Sequence, residues 1–182
     1  MVVMKWHEVE RDVFYPDSTL VMVTQADLRF VVEKAKASPR RRARLCAHPH
    51  ATDGLHEMVI CLVHDGYVRP HRHSKIESAL IIEGECDLVL FDEQGNIAQV
   101  KSFSDRHSGQ PFFVRIAEPI YHTYLIAKDF LLFLETTPGP FDRTRTQQAP
   151  WAPTETEEFS NYQQELVIRV RVWKENERAD AC

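Results

Sequence analysis

The sequence lacks the long apolar segments that mark membrane and secreted proteins. Its longest apolar run, Met58 to Val63, is only strand-sized, whereas a membrane-spanning helix needs about 18 to 20 apolar residues. The stretch MVVMKWHEVERDVF at the start has no apolar core of signal-peptide length. No internal repeat or low-complexity block is visible. These absences predict a globular protein with no membrane partner.

The sequence also lacks a paired-cysteine motif and a net positive charge. No CxxC spacing occurs among the four cysteines, Cys46, Cys61, Cys86 and Cys182, which predicts free thiols in a reducing, cytoplasmic compartment. A formal net charge of -5 leaves no excess of Lys and Arg for a broad phosphate-binding surface, so we expect no nucleic-acid partner. The length of 182 residues, 43% of them hydrophobic, predicts one folded domain.

The N-terminal part of the chain combines an arm with a helix. Residues 1–24 form an arm that the sequence pattern does not place. Thr24 and Asp27 resemble a capping box, and apolar residues recur at helical spacing after them. We therefore predict a helix from about Gln25 to Ala37, which leads into the main domain.

A cluster of positive charge, RRRAR, follows the predicted helix from Arg40 to Arg44. One interpretation is a solvated face or a partner for acidic residues. The other is that one or two of these arginines, with Arg42 the chosen candidate, bind an anionic group of a substrate. The guanidinium fork suits bidentate contacts with carboxylate and phosphate.

Short β-prone runs dominate the rest of the chain. About eight such runs, separated by turn signals, lie between residues 55 and 135, which predicts an all-β sandwich or barrel. Residues 25–153 would thus form one domain with its leading helix. In the remaining extension, 154–182, apolar and polar residues alternate from Glu165 to Trp173. That alternation predicts an edge strand packed on the barrel or on a partner subunit.

The segment GYVRPHRHSKIESALIIEG carries the residues most suited to metal binding. His71 and His73 share one face of a strand, and Glu77 has the same parity after a short turn. Imidazole and carboxylate bind divalent transition metals such as Fe, Mn, Zn, Ni and Co. A barrel also brings distant strands around one interior, so His122, which begins a later alternating strand, is the expected fourth ligand.

These residues resemble the two motifs of the cupin superfamily. Two histidines separated by one residue, a glutamate and a closing glycine match the first motif at His71, His73, Glu77 and Gly84, and His122 matches the histidine of the second. The resemblance implies a cupin jelly-roll barrel, also called a double-stranded β-helix. Four further segments, SPRRRARLCAHPH, VLFDEQGNI, TPGPF and APWAP, resemble the WbuC family of cupin-fold metalloproteins over roughly residues 25–153.

Three further side chains are candidates for the same site. Arg69 shares strand parity with the ligand histidines and would either contact substrate or form an outer ion pair. Tyr124 would either donate a hydrogen bond or proton near the metal or simply pack. Glu135 ends the apolar run FLLFLE and would be either a partner of a ligand histidine or a catalytic acid or base. The remaining histidines, including His56, match no ligand pattern.

Three functions are compatible with this pattern. The resemblance to WbuC, whose members are associated with polysaccharide and O-antigen gene clusters, implies an enzyme acting on a small polar molecule such as a sugar or nucleotide-sugar. Lewis-acid isomerisation or epimerisation follows most directly from a metal beside Glu135 or Tyr124. An Fe(II)-dependent dioxygenase and a non-enzymatic binding or regulatory cupin are the alternatives. We also expect a homodimer, because the doubly apolar strands and the C-terminal strand need cover.

Overall fold

A computed structural model describes residues 4–155 and 159–180 of the chain. The described residues form two α-helices, α1 (Gln25–Ala37) and α2 (Ser160–Asp180), and twelve strands in two sheets. The strands are β1 (Trp6–Glu10), β2 (Val13–Pro16), β3 (Arg42–Cys46), β4 (Leu55–Val63), β5 (His71–His73), β6 (Glu77–Glu83), β7 (Glu85–Phe91), β8 (Ile97–Ser104), β9 (Phe113–Ile116), β10 (Tyr121–Ile126), β11 (Phe130–Pro138) and β12 (Thr146–Gln148).

Eight of these strands form a jelly roll. Going along the chain, β4 pairs with β11, β5 with β10, β6 with β9, and β7 with β8, and successive pairs alternate between the two sheets. A long antiparallel ribbon rolled up in this way is the jelly-roll architecture that cupins share. The eight β-prone runs between residues 55 and 135 correspond one to one to these strands. The predicted jelly-roll β-fold is confirmed at this level.

The inner face of the barrel changes from apolar to polar along its strands. On β11, Leu131 and Phe133 belong to a buried apolar cluster together with Leu62 of β4 and Ile81 of β6. Two residues further along β11, on the same face, the inward position is occupied by Glu135. This gradient leaves a closed hydrophobic half that stabilises the barrel and a polar half that is free to bind a ligand.

The first sheet extends beyond the jelly roll through the N-terminal arm. β1 and β2 form an antiparallel pair, β2 runs parallel to β3, and β3 joins β4. α1 covers this extension, with Leu28, Val31 and Ala35 in the core cluster against β3 and β4. The backbone N–H of Thr24 donates to the Asp27 carboxylate at 2.8 Å, as the capping pattern requires.

The C-terminal strand predicted from Glu165 to Trp173 is wrong, because this segment lies inside α2. Leu166 and Val170, four residues apart, are buried against β7 and β8, and Trp173 packs beside them. Ile168, which an alternating strand would have placed on the same face as Leu166, is 62% exposed. The buried residues therefore follow the spacing of a helix and not that of a strand.

This correction removes one reason for the predicted homodimer, because there is no unpaired edge strand at this position. The outer side of α2 instead exposes apolar residues such as Val167 and Val172. The homodimer and the boundaries of the three chain regions stay predictions. In the described residues, neither helix is apolar enough over a sufficient length to cross a lipid bilayer.

Candidate metal centre

Three histidines from two strands of the second sheet meet inside the polar half of the barrel. His71 and His73 lie on β5, and His122 on β10 is the register partner of His71. One ligand atom from each of the three imidazoles lies within 4.8 Å of the others. The prediction that stretches far apart in the sequence would bring these three side chains together is confirmed.

Each of the three imidazoles is held in place by a contact at Nδ1. Nδ1 of His71 lies 2.9 Å from the carbonyl oxygen of Arg69, and Nδ1 of His122 lies 3.0 Å from that of Ile120. A carbonyl oxygen only accepts, so both Nδ1 atoms carry a proton and the Nε2 lone pairs remain available. Nδ1 of His73 lies 3.0 Å from the hydroxyl of Thr146, on β12. Such partners are typical of histidines that bind metals through Nε2.

Glu77, the first residue of β6, closes the group from the other sheet. Its Oε1 lies 2.9 Å from Nε2 of His122 and its Oε2 lies 3.4 Å from Nε2 of His73. Oε1 is nevertheless buried without a hydrogen-bond partner among the described residues. A buried carboxylate oxygen in that condition is costly, and a cation held between this oxygen and the imidazoles would satisfy it. The residues present therefore fit a divalent metal.

The protonation states of the group are set by burial and by Glu77. Burial lowers the pKa of His71 to about 3 and also lowers the pKa of His73. Burial acts in the same direction on His122, but the adjacent Glu77 carboxylate raises its pKa overall. For Glu77 itself, burial opposes ionisation, yet the surrounding histidines hold its pKa below the usual value. Neutral imidazoles beside an ionised carboxylate are the donor forms that a metal binds.

A cavity of about 210 Å³, here called the metal cavity, contains this group. It continues into a mouth cavity of about 280 Å³, and Glu77 and Glu135 line both. Burial, followed by the charge of Glu77, raises the pKa of Glu135 to about 7. Since the Nδ1 partners of the histidines are other groups, Glu135 does not orient a ligand and faces the cavity instead.

The other predicted site residues occupy different positions around the cavities. Tyr124 lines the metal cavity with its ring centroid 6.4 Å from that of His122, and burial raises its pKa well above the usual value. Arg69 lines the mouth cavity and donates to the carbonyl of Ala149 at 2.8 Å, while its Nε is buried without a partner among the described residues. Arg42 lines both cavities and donates to Glu155 at 2.6 Å.

Comparison with known proteins gives limited matches. A family model described as a domain of unknown function (DUF6016) matches residues 23–103, which is less than half of the chain. The WbuC resemblance stays a prediction. No curated protein matches the sequence.

The structural neighbours are distant in sequence. Protein SO0799 from Shewanella oneidensis is 11% identical with a TM-score of 0.46, and the match covers 53% of this chain and 63% of that one. An arginine-to-alanine mutant of Bacillus subtilis oxalate decarboxylase is 16% identical with a TM-score of 0.46 over 59% and 27% of the two chains. The oxalate decarboxylase–formate complex from Lactobacillus farciminis is 19% identical with a TM-score of 0.43 over 59% and 30%. This chain thus covers less than two thirds of each neighbour.

Sequence reasoning missed a side chamber of about 610 Å³ next to the mouth cavity. Its walls include Tyr15 from the N-terminal arm, His48 and His56, and the rings of the two histidines stack with centroids 3.9 Å apart. His56 matches no ligand motif, and the arm could not be placed from its sequence. One sequence signal did point to this region. Arg44 lies two residues after Arg42, so the two side chains share one face of a strand.

His48 predicts a pH dependence of folding that does not involve the metal centre. Burial, followed by the neighbouring His56, lowers the pKa of His48 to about 4, whereas an unfolded histidine titrates near about 6.5. The unfolded chain therefore binds the proton first as the pH falls, and stability should decrease from about pH 6.5 towards about pH 4. We expect His48 to account for roughly 2 kcal/mol of this decrease.

Urea denaturation between pH 7.5 and 4.5 measures this effect. His48→Phe keeps a stacked ring that does not titrate, so its free energy of unfolding should fall less steeply with acid than that of the wild type. His107→Phe, at an exposed turn, is the matched control and should keep the wild-type slope. An unchanged slope in His48→Phe would contradict the assignment.

Proposed function

We propose that the chain is a metal-dependent cupin enzyme that isomerises or epimerises a small polar molecule of the sugar or nucleotide-sugar class. One divalent transition metal would be held by His71, His73, His122 and Glu77. The observation that carries the proposal is that these donors share a cavity with Glu135, an acid or base that binds none of them. The resemblance to WbuC would place the substrate in polysaccharide or O-antigen biosynthesis.

The metal would supply Lewis-acid polarisation of a substrate carbonyl. Glu135 lies on the opposite sheet from the histidines, and its pKa of about 7 makes both its protonation states accessible near neutral pH. Its carboxylate takes a proton from the carbon next to the carbonyl, and the electron pair of the broken C–H bond moves towards the carbonyl oxygen. For isomerisation, the protonated Glu135, after exchange with solvent, gives a proton to the former carbonyl carbon, while the hydroxyl proton of the adjacent carbon moves to the former carbonyl oxygen. For epimerisation, a solvent proton reaches the first carbon from its other face.

The remaining residues of the site bind and orient. Tyr124 stays protonated, because its pKa lies well above the usual value, and so it acts as a hydrogen-bond donor to substrate oxygen. Arg42 and Arg69 present guanidinium groups to the mouth cavity, where they would hold an anionic part of the substrate. Glu155 accepts from Arg42 and from Arg40, so an incoming anion would compete with this carboxylate.

An Fe(II)-dependent dioxygenase is the second candidate, because three imidazoles and a carboxylate also suit Fe(II). A binding or regulatory cupin is the third, and the position of Glu135 inside the cavity, instead of on the outer surface, argues against it. The three functions differ in what they do to a substrate, and therefore one set of assays separates them.

The test begins with metal analysis of protein purified without chelator. Sugars and nucleotide-sugars are then incubated with the loaded protein in D₂O without oxygen, and proton NMR detects exchange at carbon. Deuterium incorporation with product formation supports the isomerase or epimerase. Oxygen uptake by the anaerobically iron-loaded protein, without such exchange, would instead identify a dioxygenase. Binding with neither reaction would identify a binding protein.

A further inference from the structure

One arginine lies where all three cavities meet. Arg44 on β3 contributes to the walls of the metal cavity, the mouth cavity and the side chamber. Its register partner is Ile60 on β4, and it shares a face with Arg42, so its side chain lies over the inner side of the sheet. A ligand that extends from the metal cavity towards either of the other two spaces passes this guanidinium.

Arg44 differs from its neighbours because its charge has no contact partner. Arg40 and Arg42 form ion pairs with Glu155, and Arg41 pairs with Asp65 at 2.6 Å. Across residues 4–155 and 159–180, the Arg44 side chain forms no recorded ion pair or hydrogen bond; its charge acts on the Glu135 carboxyl, whose pKa it lowers against the larger effect of burial. An unpaired charge in a half-buried position is costly, and a bound anion would offset that cost.

A buried ring nitrogen without a hydrogen-bond partner among the described residues lies in the same region. His56 is only 4% exposed, and its Nε2 is buried without a hydrogen-bond partner in the described part of the chain. Burial lowers the pKa of His56, so the ring is neutral and one of its nitrogens keeps a lone pair, and the ring stacks on His48 with an interplanar angle of 9°. His56 lines both the mouth cavity and the side chamber, as Arg44 does. A substrate hydroxyl or N–H would satisfy it.

We propose that Arg44 and His56 form an oxyanion subsite at the junction of the three cavities. The substrate would carry a carboxylate or phosphate for Arg44 and a hydroxyl or N–H donor for His56, as an acidic or phosphorylated sugar does. This inference rests on the proposed function and narrows its substrate class. It also gives the N-terminal arm a role, because His7 and Tyr15 line the side chamber.

Isothermal titration of the metal-loaded full chain tests the subsite with three sugars that differ at one carbon. Glucuronate carries a carboxylate there, glucose 6-phosphate carries a phosphate, and glucose is neutral. We expect at least one anionic sugar to bind about 10-fold more tightly than glucose, since a charge-assisted hydrogen bond is worth that much. The tighter of the two identifies the oxyanion.

Variants then assign the preference to the two residues. Arg44→Met should weaken binding of the preferred anion by about 10-fold or more, and His56→Phe, which keeps the ring stack, by about 3- to 10-fold. Arg44→Lys keeps the charge and should retain part of the preference even if Arg44→Met does not fold. Arg29→Met, exposed on α1, is the matched control and should bind as the wild type does.

Equal binding of the three sugars, no binding of either anion up to about 10 mM, or wild-type affinity in both Arg44 variants would overturn the subsite. Metal content measured on the same samples separates this inference from the proposed function. Loaded protein without anion preference refutes the subsite alone. Protein that takes up no metal but still binds the anion through Arg44 refutes the metal-dependent enzyme. The subsite would then still be supported.

Discussion

His122→Ala should weaken binding of a divalent metal by more than about 100-fold, because loss of an outer-shell partner alone typically costs 10- to 100-fold. The substitution removes an imidazole donor that is 2% exposed. It also leaves the buried Oε1 of Glu77 without its nearest neighbour. Competition titration of Zn²⁺ or Co²⁺ against a chromophoric chelator measures the change directly. The same variant should lose the stabilisation that metal gives the wild type in thermal unfolding.

His107→Ala provides the matched control, since His107 is an exposed histidine in a turn outside all three cavities. Its metal affinity should equal that of the wild type. Circular dichroism shows whether His122→Ala keeps the β-rich fold, so that lost affinity is not mistaken for unfolding. Tight binding of one equivalent of metal by folded His122→Ala would place the metal elsewhere in the chain.

Glu135→Gln should lower the rate of proton exchange and isomerisation by about 100-fold or more, which is the range that general acid–base catalysis contributes. The amide keeps the size of the side chain but cannot take up a proton at the pH of the reaction. Metal affinity should stay within a few-fold of the wild type, since Glu135 binds none of the histidines. The assay is deuterium incorporation at carbon, followed by NMR.

The pH profile of turnover provides a second readout for Glu135. The wild-type rate should increase with pH through about 7, as the carboxylate becomes the base. Glu135→Asp keeps the acid but shortens the side chain, so it should retain more activity than the amide variant. Full activity in Glu135→Gln would show that another group is the base and would contradict the proposed mechanism.

The metal-binding group could be predicted because its signals are local. Strand alternation places His71 and His73 on one face, and the short spacing to Glu77 brings a third donor back towards them. His122 followed from the cupin resemblance and from the rule that a barrel surrounds one interior. The eight strands could be predicted equally well from the β-prone runs, because turn residues bound each run.

The C-terminal segment shows where periodicity alone fails. The sequence ELVIRVRVW fits an alternating pattern, yet Leu166 and Val170 also fit a helical one, and only the apolar surface available on β7 and β8 decides between them. The flanking residues, SNYQQ before and KENERAD after, are rich in Gln, Glu, Lys and Arg, which favour a helix, and contain no Gly or Pro. A longer window would have carried that signal.

The junction of the cavities depends on tertiary structure in the same way. Arg44 could be identified as a charged residue of the RRRAR cluster, but its lack of a partner depends on Glu155 and Asp65 contacting the other arginines. His56 lies on β4 and His48 in the loop before it, and their stacking follows no sequence pattern. These features require the positions of several loops, which local rules do not supply.

A crystal structure of the metal-loaded protein, with data collected at the absorption edge of the metal, tests the central claim most directly. The account predicts one anomalous peak inside the barrel, about 2.0–2.2 Å from Nε2 of His71, His73 and His122, with a carboxylate oxygen of Glu77 also bound. A peak coordinated by other residues, or loaded protein with no peak among these three imidazoles, would contradict it.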